Sequence, residues 1–451
     1  MRGNMRLKGR TSVSLGLTAI VAAAAAAQMQ SAQAARLKTI YSFCAQQNCT
    51  DGQLPLGGVL ADPSANLFGT ASTGGAHNGG TVYELVANAK KTHWTYLPLY
   101  DFCAAQDCAD GDQPQGSLIR DNDGDLYGVT TKGGAKDEGS VFELVPNSGR
   151  TSWTLVTLYS FCAEADCGDG AEPATKLTYA GDAAGLPYDP SSPLFGTATL
   201  GGAGGYGAAF EIAHVRAHPK YKVLYSFCTS GNFSCAEATY PNQPYLDANG
   251  DLFGLDCCQG GPDQFGAAWE LVPAAHGNYK EHTIFQFDGD SPSTTGEAPE
   301  SGFVQGASGL LYSVTSNGGY KHGTEYSGVL FSLQLNGKSP ATEKILYGFC
   351  SLDGCPDGKA PVNSTPVIDT HGALFGTAIH GGYRNDIGDQ GAGVIYRFKG
   401  VYSVLYSFCP DSGCADGAYP SNVVLDASGD LFGTTEQGGQ FGRGTVFEMI
   451  P

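Results

Sequence analysis

Short runs in which apolar and polar residues alternate recur along the chain in one fixed order, separated by glycine-rich turns. A Leu-aromatic-Gly segment comes first: Leu67-Phe68-Gly69, Leu126-Tyr127-Gly128, Leu194-Phe195-Gly196, Leu252-Phe253-Gly254, Leu374-Phe375-Gly376 and Leu431-Phe432-Gly433, with Leu311-Tyr312-Ser313 as a degenerate copy. A diglycine follows each, from Gly74-Gly75 to Gly438-Gly439, and then a segment of the type Thr81-Val82-Tyr83-Glu84-Leu85. A Tyr-x-Phe run closes the unit, as in Tyr100/Phe102 and Tyr406/Phe408, with Phe285/Phe287 as a variant. Alternation with period two, β-branched and aromatic residues, and no helical periodicity after the first residues predict an all-β fold.

Four strand-like segments per unit, at about 60 residues per unit, fit the four-stranded blades of a β-propeller. With the strands named A (the Gly57 to Leu60 type), B (Leu-aromatic-Gly), C (Thr-Val-Phe-Glu) and D (Tyr-x-Phe), the chain after residue 34 opens with a D strand and ends with A, B and C. Joining residues 37–43 to residues 422–450 completes a seventh blade and predicts a closed ring. An open array would leave two sheet edges exposed. Each ring buried between sheets contributes on the order of 1.5–3 kcal/mol, so the aromatics are read as core.

Ahead of the repeats, Arg2, Arg6, Lys8 and Arg10 precede an apolar run from Ala19 to Ala27 and the small-residue pattern Ala32-Gln33-Ala34. This reads as an export signal over residues 1–34, too short to span a bilayer, followed by one propeller domain over residues 35–451. Removing the signal leaves 21 basic against 44 acidic side chains, a net charge near −23. Such a surface repels phosphate backbones and anionic lipid, which excludes nucleic acid and electrostatic membrane docking as partners. Fourteen cysteines behind a signal point to an oxidising compartment, extracellular or periplasmic. The spacing predicts disulfide pairs Cys44/Cys49, Cys103/Cys108, Cys162/Cys167, Cys350/Cys355 and Cys409/Cys414, and a stretched version at Cys228/Cys235. Each closes a short loop, contributing about 2 kcal/mol by chain entropy. Cys257-Cys258 are adjacent, and the sequence leaves open whether they pair with each other, pair elsewhere or stay reduced.

After the second cysteine of each loop, an acidic residue stands four positions before a proline: Asp51, Asp110, Asp169, Glu237, Asp357 and Asp416. In a propeller the D-to-A and B-to-C connections share one face, so these six would form a ring of carboxylates able to hold a cation or a basic ligand. The alternative is a turn role for Asp-Gly. Asp121-Asn122-Asp123-Gly124-Asp125 resembles the start of a calcium loop but has Gly at the fourth place and Lys132 at the twelfth, so an A-to-B hairpin explains it. Gly202 to Gly207 spells G-x-G-x-x-G between β segments and carries no dinucleotide signal. No metal site, cofactor motif or catalytic constellation emerges, and His77, His322 and His380 are isolated loop residues.

The stretch "LFGTASTGGAHNGGTVYEL", followed by "LYDFC", and its copy "LFGTTEQGGQFGRGTVFEM" resemble the Gloeo-Verruco (GloVer) repeat of exported bacterial choice-of-anchor tandem-repeat proteins. The resemblance implies an extracytoplasmic propeller-like array and supplies no catalytic residues. The chain ends at Pro451 without a hydrophobic or sorting segment, unlike anchored members. The expected function is therefore a secreted, monomeric, non-enzymatic binding module that holds an extracellular ligand (cationic, glycan or protein) on the loop face and central channel. The alternative is a polysaccharide hydrolase or lyase using loop-face carboxylates as acid and base. An enzyme breaks repeat symmetry at its site, and the breaks here are the fifth unit, residues 283–331, and the insertion from Leu177 to Pro193.

Overall fold

Leucine-aromatic-glycine repeats become the second strand of each of seven four-stranded antiparallel sheets. The computed structural model describes residues 35–229, 238–257, 265–288, 295–319, 327–337, 339–383 and 390–451. The expected signal, residues 1–34, lies outside them, as do Cys235, Glu237, Cys258 and His322. The first blade runs Leu60–Ala61, Leu67–Ala71, Thr81–Ala87 and Trp94–Asp101, and the same A-B-C-D order repeats through the sixth blade. The seventh combines Ala418–Leu425, Leu431–Gln437 and Thr445–Ile450 with Arg36–Ser42, which pairs antiparallel to the last strand (Leu37 opposite Met449, Thr39 opposite Phe447). Helical structure among the described residues is confined to short 3-10 turns, and no helix is long and apolar enough to cross a membrane.

The recurrent glycine of strand B has a steric cause. Gly254 lies opposite Trp269 of strand C, and a Cβ there would overlap the indole ring. The fifth blade is the exception, with Ser313 opposite Phe331. The rings then pack between sheets, Phe102 edge-on to Phe142 and Phe161 to Phe210, with centroids 5.2 and 5.3 Å apart.

Each blade is locked to the one before it by the proline of the D-to-A loop. The preceding residue (Leu54, Gln113, Glu172, Tyr240, Ala298, Ala360 or Tyr419) sits at φ between 51° and 59°. This left-handed conformation is unusual for an L-residue and doubly so before proline. It aims the backbone N–H at a carbonyl just ahead of strand C in the preceding blade, at 2.8–3.1 Å. Leu54 reaches Arg443 in this way, so the first and seventh blades are joined like the rest. Pro55 rests on Gly444, where a Cβ would come 2.6 Å from the proline ring.

Candidate functional site

The acidic residues singled out in sequence end up inside the D-to-A loops. Asp51, Asp110, Asp169 and Asp357 are buried, and Asp416 is half-buried. Each accepts the hydroxyl of its own repeat's D-strand tyrosine: Tyr41 to Asp51 at 2.7 Å, Tyr100 to Asp110 at 2.8 Å, Tyr159 to Asp169 at 2.6 Å, Tyr347 to Asp357 at 2.6 Å and Tyr406 to Asp416 at 2.9 Å. Backbone N–H groups of the disulfide loop supply the rest, Ala45 and Gln46 to Asp51, Ala104 and Ala105 to Asp110, Ala163 and Glu164 to Asp169. Burial pushes the Asp416 carboxyl up and all five tyrosine hydroxyls well above their ordinary range. Each of these five carboxylates is thus paired within its own repeat.

The five C-x-x-x-x-C pairs are disulfides: Cys44–Cys49, Cys103–Cys108, Cys162–Cys167, Cys350–Cys355 and Cys409–Cys414. Cys228 and Cys257 are disulfide-bonded too. In sequence these pairs read only as staples closing their own loops, and the structure corrects that for the second cysteine of each. Its backbone is left-handed, with φ 53° at Cys49, 50° at Cys108, 53° at Cys167, 53° at Cys355 and 47° at Cys414. So placed, its carbonyl accepts from two glycines, the one after the loop aspartate and the second of the diglycine. Gly52 and Gly75 donate to Cys49, Gly111 and Gly134 to Cys108, Gly170 and Gly202 to Cys167, Gly358 and Gly382 to Cys355, and Gly417 and Gly439 to Cys414, at 2.8–3.1 Å. Each disulfide loop is thereby pinned to the B-to-C loop of the blade it leads into, a structural task that leaves no sulfur for ligand chemistry.

A second feature of this rim is not evident from the acidic and cysteine spacing. Tyr221 of the third blade stacks on Tyr159 of the second, and Tyr402 of the sixth on Tyr347 of the fifth, each at 3.6 Å between centroids, with the outer hydroxyl donating to the backbone carbonyl of Asp169 or Asp357. These tyrosines fall four positions before a Tyr-x-Phe run, a spacing that could have marked them. Of the isolated histidines, His380 is half-buried and edge-on to Tyr419 at 5.4 Å, and burial lowers its pKa. Among the described residues no group of acidic, His and Cys side chains is arranged to hold a metal.

The opposite face carries the A-to-B hairpins. Their aspartates cap their own turns: Asp62 accepts from the N–H of Ser64 and Asn66, Asp247 from Asn249 and Asp251, Asp426 from Ser428 and Asp430. At the calcium-like segment the cationic place is taken by Arg216 of the third blade, whose guanidinium lies 2.6 Å from Asp121, 2.6 Å from Asp123 and 3.0 Å from Asp125.

On this face the third blade departs from the pattern. Its insertion makes a 3-10 turn over Asp182–Ala184, drives Tyr188 into the core and leaves Leu186 58% exposed. Tyr188 donates its N–H to the Arg120 carbonyl of the second blade, and the Tyr179 hydroxyl donates to the Leu186 carbonyl. Between the insertion and the hairpins of blades seven, one and two lies a cavity of about 600 Å³ with Leu60, Ile119 and Leu425 among its walls and Lys91, Asp182 and Leu186 among its lining residues. That volume is within the usual range for a small-ligand pocket.

Below this mouth runs the channel, walled by A strands. The residue two before the partner of the B-strand aromatic is Gly58, Ser117, Lys176, Gln243, Gly302, Thr365 or Asn422 in successive blades. These seven form a collar: the Gly302 N–H donates to Thr365 Oγ1 and the Thr365 N–H to Asn422 Oδ1, both at 2.8 Å. Lys176 is the collar's cation and reaches both oxygens of Asp182 in the insertion, at 2.7 and 2.8 Å.

Residues 28–239 match the model of the Gloeobacter/Verrucomicrobia repeat. Those residues carry this repeat. Blades beyond residue 239 keep the same strand order, so the repeat geometry extends around the ring. No curated protein matches the chain. Among solved structures, the polysaccharide lyase Uly1 superposes at TM-score 0.51 with 10% identity, over 91% of this chain and 93% of that one. The extracellular domain of a one-component system from B. thetaiotaomicron superposes at TM-score 0.50 with 9% identity, over 91% of this chain. The repeat protein spans only 39% of that longer chain. At these identities the likeness speaks for the fold alone.

Proposed function

We propose that this repeat protein is a non-enzymatic binding propeller that works outside the cytoplasm and holds its ligand at the channel mouth on the A-to-B face. The observation that carries the reading is the 600 Å³ cavity walled by the third blade's insertion, where a departure from the repeat and a ligand-sized space coincide. The disulfides support an oxidising location. Internal pairing of the rim aspartates argues that they hold loops together, leaving the mouth as the better candidate than the rim.

A thermal-shift screen tests this, using neutral and acidic oligosaccharides, amino acids and short peptides against the purified protein. At least one class should raise the melting temperature, and Leu186→Asp should remove the shift while leaving the unliganded protein as stable as before. A ligand whose shift survives Leu186→Asp would move the site elsewhere. Product formation from a saccharide in the same samples would replace binding with hydrolysis or elimination.

A further inference from the structure

In this acidic protein the channel collar presents a cation, Lys176, beside side chains with hydrogen-bond donors to offer. At four of the seven positions the backbone carbonyl just before the collar residue is already taken by a strand-B hydroxyl of the neighbouring blade. Thr70 donates to Gly116, Thr197 to Asn242, Thr377 to Ser421 and Thr434 to Gly57, at 2.8–3.4 Å. The acceptor atoms of two collar side chains are used as well, Thr365 Oγ1 by the Gly302 N–H and Asn422 Oδ1 by the Thr365 N–H. Both side chains also keep a donor: the Thr365 hydroxyl hydrogen and the Asn422 Nδ2 amino group. The Ser117 hydroxyl and the third ammonium hydrogen of Lys176 line the same space. Two acidic groups lie near. Asp182 is bound to Lys176, and Glu300, toward the rim end, has its carboxyl hydrogen-bonded by Ser316 and pushed up by burial.

We infer that the channel collar binds an oxyanion, the carboxylate, sulfate or phosphate group of a ligand whose body fills the mouth, with Lys176 as its counter-ion and Asn422, Thr365 and Ser117 as donors. The inference rests on the channel-mouth reading for the ligand's body, and the oxyanion site stands by itself in the assay. In the unliganded protein Asp182 occupies Lys176. Because Asp182 belongs to the insertion that walls the mouth, an arriving oxyanion competes with the insertion for one ammonium group.

Calorimetric titration of the purified protein with D-glucuronate, inorganic phosphate and sulfate, with D-glucose as the uncharged control, tests this. At least one oxyanion should bind, more weakly as chloride is raised. Lys176→Met and Asn422→Asp should each weaken it at least tenfold, a loss in keeping with removal of one charge-assisted contact. Asn422→Asp keeps the acceptor that Thr365 uses and puts an anionic oxygen where the amino donor stood, so it reads the site even if Lys176→Met fails to fold. Asp182→Asn should tighten binding several-fold by releasing the lysine. Glucuronate alone binding identifies a sugar carboxylate, and all three binding identifies a general oxyanion site. No oxyanion binding, glucose bound as tightly as glucuronate, or unchanged affinity in Asn422→Asp would overturn the inference. Leu186→Asp separates the two readings: oxyanion binding that survives it while larger ligands are lost leaves both intact, and oxyanion binding with no larger ligand found leaves only the collar.

Discussion

The two faces of the disc use repetition differently. On the rim face one device recurs: a disulfide loop folds over an aspartate that accepts from a tyrosine and from loop N–H groups, as in Asp51, Asp110 and Asp169. On the other face the hairpin aspartates also repeat, yet the third blade interrupts them with a segment that buries Tyr188, exposes Leu186 and ties Asp182 to the channel. In this molecule repetition marks what holds the ring together, and departure from it marks where a ligand-sized space opens. The described rim aspartates are each paired with a tyrosine of their own repeat, whereas the collar keeps unspent donors.

The comparison is broken hardest by attacking the ring itself. Gly254→Val should force the Trp269 ring out of its place and cost about 3 kcal/mol, seen as a lower denaturant midpoint, because the Cβ overlaps the indole. Next, Asp169→Ala should cost about 2 kcal/mol by stranding the Tyr159 hydroxyl and two backbone N–H groups. Affinity for any ligand found at the mouth should be unchanged. Loss of affinity with stability intact would return the ligand to the rim.

Acid–base behaviour sharpens the contrast at the fifth blade, which is entered after Phe287 by a loop without the C-x-x-x-x-C pair. There the position taken by stacked Tyr221 or Tyr402 in other blades is Glu343, whose carboxyl burial pushes up to about 7. A carboxyl that holds its proton more tightly folded than unfolded makes stability fall as pH rises from its unfolded value near 4.5 to about 7. Glu343→Gln should flatten that decline and make the protein about 1–2 kcal/mol more stable than the wild type at pH 8, measured by urea unfolding at a series of pH values. The smallest effect is expected at Arg216, which is 43% exposed on its side chain. Arg216→Ala should lower stability by about 0.5–1 kcal/mol, with the difference from wild type shrinking at high salt.

Much of the architecture was legible because it follows from period and order. The Leu-aromatic-Gly repeats, the Tyr-x-Phe runs and the cysteine spacing correspond to B strands, D strands and disulfides. The proline four residues after each acidic position was also visible, but its role was not: the lock depends on a left-handed residue before it and a glycine in another blade, Gly80 for Pro114 and Gly444 for Pro55. The same holds for Cys49 and its counterparts, whose pairing follows from spacing while the pinning of the diglycine follows from a backbone angle that spacing does not reveal. The aspartates were legible as a set but their pairing was not, since composition cannot say whether a carboxylate faces solvent or a tyrosine of its own repeat. Lys176 and Asn422 were silent for a related reason. They share a position with glycine, serine, glutamine and threonine, and only the A-to-B register brings them to one collar.

Hydrogen–deuterium exchange with and without a ligand that raises the melting temperature tests the claim most directly, because it maps binding without prejudging the site. Protection should gather in residues 58–66, 117–121, 176–188 and 422–432. Protection gathered instead in the cysteine loops, residues 44–52, 103–111 and 162–170, with the insertion exchanging as before, would contradict it.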